Sequence, residues 1–238
     1  YDCFRDYDYN FLEDTGIKVR VKIRQNDIYC KVWKVDCFGN ADLYLLDTDI
    51  GENSNRWITG RLYGGGAEER IAQEMVLGIG GVRALRALNI PVDIYHFNEG
   101  HAVLAGLELM KEKINAGMSF DEAWESTRKE VVFTTHTPIK AGNERHSIEA
   151  LTYMGANLGF SIEQMNRIGG IPFNMTVAAL RLSKISNAVS ELHTETANKM
   201  WAKIDNRSKI IGITNAIHVG TWVDERMRKK FLNLDEMW

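Results

Sequence analysis

From Ile17 to Arg24 apolar and basic residues alternate without a break, with Ile17, Val19, Val21 and Ile23 set against Lys18, Arg20, Lys22 and Arg24. A period of two predicts a strand with one buried face. A second strand over 28–35 follows the polar turn Gln25-Asn26-Asp27, so the pair reads as a hairpin. Residues 43–46 read as a third strand, short and apolar enough to be buried. The four basic side chains read as a solvated strand face rather than a phosphate site.

After Tyr63-Gly64-Gly65-Gly66 the period lengthens, and Ile71, Met75, Val82 and Leu85 fall at helical spacing through about Leu88. Gly78, Gly80 and Gly81 within that stretch each weaken a helix by about 1 kcal/mol relative to alanine, which close packing against another backbone would offset. From Val92 onward strands and helices alternate. The pattern predicts strand 92–97, helices 101–115 and 120–130, strand 131–135, a helix near 161–168 and another from 175 to about 185. A short strand near 188–192, helix 194–203, strand 209–214 and a closing helix from Asp224 follow. Ser119 with Glu122, and Ser161 with Gln164, have the spacing of capping boxes. Strands alternating with helices predict an α/β fold with a mainly parallel sheet and helices on both faces. The chain divides into a β-rich leading segment, 1–50, and an α/β region, 51–238.

Composition narrows the partners. With 45% apolar residues, disorder is excluded, and no run of about 18 apolar residues exists to cross a membrane. Twenty-nine basic against 32 acidic residues leave a net charge of −3, so nothing draws the chain to nucleic acid. Three cysteines, all within the first 37 residues and without metal-type spacing, indicate a reduced, cytoplasmic protein. The chain opens Tyr1-Asp2-Cys3-Phe4, with neither a start methionine nor the features of a signal peptide, which reads as a piece of something longer.

Ligands of open α/β sheets bind beyond the carboxyl ends of the strands. There the sequence places Asn98, Glu99 and His101 after one predicted strand, His136 after the next, then His193 and Asn215 after the last two. Amides and imidazoles both donate and accept hydrogen bonds, which suits a polyhydroxylated ligand such as a sugar. A metal site built on His96, Glu99 and His101 lacks the helical His-Glu-x-x-His spacing, so no metal is expected. No Gly-x-Ser-x-Gly elbow is present, and neither glycine cluster completes a dinucleotide or nucleoside-triphosphate loop.

Five strings, taken together and in order, resemble the α-glucan (glycogen/maltodextrin) phosphorylases, above all their shorter bacterial and archaeal branch. They are Leu46-Asp47-Thr48-Asp49, the run from His96 to Ala102, the run from Phe133 to Pro138, Phe173-Asn174-Met175, and Thr214-Asn215 with His218 and Thr221-Trp222. The resemblance implies two Rossmann-like domains of the GT-B type facing a cleft. It also implies a retaining hexosyltransferase that releases glucose 1-phosphate from terminal α-1,4 glucosyl units with inorganic phosphate. By the same likeness His101 is the catalytic, sugar-site histidine, its side chain bonding the glucose 6-hydroxyl and its carbonyl facing the developing oxocarbenium ion, and Asn215 shares that hydroxyl. His136, His193, Asn98 and Glu99 are expected to be substrate-binding residues in supporting roles, and Tyr63, Gly64, Gly65 and Gly66 to form a gate loop.

The likeness covers only the middle and end of the first domain. The family's pyridoxal phosphate lysine has no counterpart, so no cofactor-binding residue is expected in this chain. The fragment should be inactive alone and prone to self-association through uncovered apolar surface. Ala188 and Ala216 stand where the family has glycine, which would strain any turn of positive φ. Two alternatives remain at this stage, a non-catalytic glucan-binding module and a glucan synthase using a nucleotide sugar.

Overall fold

A computed structural model describes residues 9–37, 39, 41–61 and 65–232. Strands β1 (Glu13–Ile23), β2 (Asn26–Val35) and β3 (Leu43–Asp47) form an antiparallel sheet in the order β1-β2-β3. Val19 pairs with Cys30 and Val21 with Ile28, so the alternation seen in the sequence buries Val19, Val21 and Ile23 on one face. The basic face is solvated and largely neutralised: Lys18 pairs with Glu52, Arg20 with Asp27 and Arg24 with Glu68. β3 corrects the reading of a buried strand. It pairs only with β2, at an edge, and Leu43 and Leu45 are exposed.

Helix α1 (Ala67–Met75) runs through one π-helical turn (Val76–Gly80) into α2 (Gly81–Ala87). Gly78 explains the tolerance for glycine here, because a Cβ at that position would stand 2.7 Å from the Ala105 nitrogen of the helix packed against it. Gly78→Val is therefore expected to destabilise the fold by about 2 kcal/mol through overpacking. A lowered urea midpoint at constant m-value would report it, and an unmoved midpoint would refute the close contact.

The remaining elements are β4 (Tyr95–Asn98), α3 (Leu104–Asn115), α4 (Phe120–Glu130), β5 (Val131–Thr135), β6 (Arg145–His146) and α5 (Ile148–Met154). After these come α6 (Ile162–Gly169), β7 (Phe173–Asn174), α7 (Met175–Leu182), β8 (Ile185–Ala188), α8 (Glu191–Met200) and β9 (Lys209–Gly212), then α9 (Val219–Trp222) and α10 (Glu225–Leu232). β4, β5, β8 and β9 make a parallel sheet in that order, with Phe97, Phe133, Ser186 and Ile210 in register. The structure is thus α/β, a parallel four-stranded sheet flanked by helices and preceded by an antiparallel β-rich segment. Both capping boxes form as read: Ser119 with Glu122 opens α4, and Ser161 with Gln164 opens α6. One continuous core joins the two sheets, from Val21 and Cys30 through Met75 and Ile79 to Phe133 and Leu180.

Five elements have bounds that differ from the pattern. β4 begins at Tyr95 rather than Val92, and α3 starts only at Leu104, after a 3-10 turn over Gly100–Ala102. α7 ends at Leu182, where the Ser183 hydroxyl bonds back to Ala179 O, and the next strand is Ile185–Ala188, not 188–192. Ser190 caps α8, whose first residue is Glu191, because its hydroxyl accepts from His193 N. β6, β7 and α5 lie in a stretch where the pattern predicts nothing. Ala188 and Ala216 are both absent from the positive-φ positions, so the strain expected of them does not arise. Among the described residues no helix is long and apolar enough to cross a membrane.

Candidate functional site

Two polar groupings lie near the carboxyl ends of the parallel strands. In the first, the chain leaves β4 through Glu99, whose backbone takes φ 62° and ψ −177°, a region nearly confined to glycine. Glu99 N donates to Thr134 O at 2.9 Å, while the Glu99 carboxylate accepts from His136 N and, at 3.1 Å, from Thr137 Oγ1. The turn after β4 and the end of β5 are thereby tied together, and His136 is left with its side chain exposed. Asn98 is exposed beside it, and Asn215 is exposed beyond β9, anchored by its N–H on Val189 O at 3.2 Å.

On the sheet face behind this edge runs a short polar ladder. Thr134 Oγ1 donates to Asn187 Oδ1 at 2.7 Å, and His96 Nε2 stands 2.7 Å from the same hydroxyl. A hydroxyl has one hydrogen, so His96 Nε2 must be the donor. His96, Glu99 and His101, the trio considered as metal ligands, thus turn to three different partners: Thr134, the end of β5, and Arg70.

His193 is placed differently from its reading as a strand-end group. It lies in the first turn of α8, buried, with Nδ1 accepting from Val189 N at 3.4 Å. Of the gate-loop residues, Tyr63 and Gly64 lie outside the described residues. Gly65 has φ 84°, and Gly66 N donates to Glu69 Oε2 at 3.1 Å at the start of α1.

The second grouping was not foreseen apart from His101. Arg70 and Glu74, one turn apart on α1, meet His101, Glu144 and His146. Arg70 Nε donates to Glu144 Oε1 at 2.9 Å, and Arg70 Nη2 lies 3.1 Å from Glu144 Oε2 and 2.6 Å from His101 Nδ1. His146 Nε2 bonds Glu74 Oε2 at 2.8 Å, both residues being buried. Burial pushes the Glu74 carboxyl up to about 7, against the lowering effect of its bond to His146. Burial also acts to raise Glu144, yet the bonds from Arg70 and Glu74 leave it below the usual carboxylate range. His101 is held below its ordinary value, first by burial and then by the positive charge of Arg70. A signal for this group existed in the sequence: Arg70 and Glu74 are charges at i, i+4 bordering the apolar stripe of Ile71 and Met75.

The fold and its edge define an α/β protein that gathers imidazole, amide and carboxylate groups where a parallel sheet presents its carboxyl ends. No protein-family model matches the chain. Individual relatives do. It is 39% identical over 225 residues to an uncharacterised protein of Methanocaldococcus jannaschii, covering 93% of this chain and 41% of that protein. It is 36% identical over 222 residues to the maltodextrin phosphorylase of Thermococcus litoralis, covering 89% and 27% respectively. With the glycogen phosphorylase of Aquifex aeolicus it shares 33% identity over 233 residues, 92% of this chain and 34% of that enzyme. The chain is therefore homologous to a segment of the glycogen/maltodextrin phosphorylases, and spans about a quarter to two-fifths of the length of these relatives.

Proposed function

We propose that this chain supplies one wall of the glucosyl-binding cleft of an α-glucan phosphorylase, a retaining hexosyltransferase that forms glucose 1-phosphate from α-1,4-glucan and inorganic phosphate. In that reading residues 1–50 are a leading segment and 51–238 part of the first domain. The observation that carries it is the tie between Glu99 and the backbone of His136, which fixes adjoining strand ends as a single polar edge, in a chain related to phosphorylases over nine-tenths of its length.

His101, His136 and Asn215 are the groups assigned to glucosyl hydroxyls. Glu99 positions His136 rather than binding sugar itself, and Asn98 supports the same edge. His193, buried behind the β8–α8 turn, acts by holding that turn. The segment from Tyr63 to Gly66 is the proposed gate, anchored at its described end by Glu69. A reduced, cytoplasmic setting suits free cysteines, of which Cys30 is buried, its thiol pushed up to about 12 by burial.

Pyridoxal phosphate does not fit the residues present. It is tethered as a lysine Schiff base, whereas no described lysine is buried, and three of the four half-buried ones, Lys31, Lys34 and Lys113, are spent in ion pairs. A cofactor of the whole enzyme would be held by other parts of it, and this chain alone is expected to bind without turnover.

Titration of the chain with maltoheptaose, followed by calorimetry, tests the reading. His136→Ala and Asn215→Ala are each expected to weaken binding by about tenfold, the worth of one good hydrogen bond. Unchanged affinity in both, or preference for a nucleotide sugar over maltoheptaose, would overturn it.

A further inference from the structure

One donor atom from each of Glu74, His101 and Glu144 lies within 4.8 Å of the others, a spacing that could hold a metal ion. Two of the three donors such an ion would use, those of Glu144 and His101, are already engaged, whereas Glu74 Oε1 is buried with no hydrogen-bond partner among the described residues. Arg70 grips Glu144 through Nε and Nη2, and the same Nη2 reaches His101 Nδ1 at 2.6 Å. A guanidinium stays protonated and cannot accept, so the imidazole nitrogen facing it is the acceptor, and the hydrogen of the neutral ring sits on Nε2. An added metal ion would have to displace the guanidinium or meet its positive charge at contact range.

We propose that Arg70 is a positioning residue for His101: its guanidinium, held by Glu144, fills the place of a cation and fixes the imidazole with its hydrogen on Nε2. The geometry supports this on both sides. Arg70 is only 16% exposed and comes from α1, whereas Glu144 comes from the segment before β6 and His101 from the turn after β4, so three elements hold the contact. The planar fork of arginine suits a two-oxygen grip that lysine cannot reproduce. Among the described residues the charged groups around the ring are Arg70 and Glu74 from α1, Glu144, and Glu99 from the β4 turn, with His146 behind Glu74. Burial and Arg70 together outweigh Glu144 and Glu99, keeping the ring neutral. A neutral imidazole with its hydrogen at Nε2 is a donor of fixed position, which suits recognition of a hydroxyl. The positioning role takes its meaning from the proposed sugar site, whereas its test needs no glucan.

The test is a two-bond proton–nitrogen correlation spectrum of the nitrogen-15-labelled chain, with the His101 signals assigned by their loss in His101→Gln. At neutral pH the expected pattern is a bare Nδ1 and a protonated Nε2, with a titration midpoint below the ordinary histidine value of about 6.5. Arg70→Met should mix the two tautomers and raise the midpoint. Arg70→Lys, which keeps the charge without the fork, should mix the tautomers with a smaller rise, and it carries the test if Arg70→Met does not fold. One equivalent of zinc should leave the His101 signals unmoved. A hydrogen on Nδ1 in the unaltered chain, a folded Arg70 variant with unchanged tautomer and midpoint, or stoichiometric zinc binding at His101 would each overturn the proposal. Loss of maltoheptaose binding in a chain whose His101 tautomer is as described would instead count against the proposed function alone.

Discussion

Phe133→Ala is expected to destabilise the fold by about 3–5 kcal/mol, the range for deleting a buried aromatic ring. Phe133 has no exposed surface and sits on β5, an interior strand of the parallel sheet, in register with Phe97 on β4 and Ser186 on β8. Collapse into the vacated volume is resisted because both flanking strands are held at fixed spacing by the hydrogen-bond ladder. Urea unfolding followed by tryptophan fluorescence measures the loss. Ile185→Ala, at the half-exposed start of β8, is the control and should cost less than about 1 kcal/mol. Equal losses at the two positions would contradict the placement of the core.

The second large effect is one of pH. Burial raises the Glu74 carboxyl from its ordinary 4.5 to about 7, so the folded chain keeps a proton that the unfolded chain has released. A raised carboxyl contributes stability in full below about 4.5, and that contribution fades as pH climbs through about 7. The loss across that window is about 3 kcal/mol for this one group. Glu74→Gln retains an acceptor for His146 and has no proton to lose, so its stability should not show this decline. Carboxyls held low, such as Glu144 beside Arg70, act in the opposite sense at lower pH, which is why the difference between parent and variant is the quantity to follow. Between pH 5 and 8 the parent's urea midpoint should fall relative to that of the variant as pH rises. A constant difference would mean that Glu74 does not titrate in this window.

Where local chemistry decides the structure, the residues announced it. The alternation from Ile17 to Arg24 became β1, and Ser119 and Ser161 cap the helices their spacing indicated. Edges were less legible, because a short apolar run such as Leu43 to Leu46 reads alike whether it has one neighbouring strand or two. Ser183 and Ser190 moved two boundaries through single hydroxyl bonds that periodicity does not register. The strand-end residues Asn98, Glu99, His136 and Asn215 could be named because the rule for open sheets needs only element order. Beyond the i, i+4 pair of Arg70 and Glu74, the Arg70 cluster could not, since Arg70 and Glu144 are separated by 74 positions and only the packing of α1 against the β6 segment brings them together.

Glu99 places heat resistance and the geometry of the strand-end edge in opposition. Its conformation costs about 1–3 kcal/mol in any residue but glycine, and its carboxylate is what secures His136. A library screened for survival at high temperature alone would thus be drawn towards Glu99→Gly, and would harvest sturdier chains in which the end of β5 at His136 is no longer held. Variants of this chain raised for robustness should keep that glutamate under a separate selection for the proposed glucan binding.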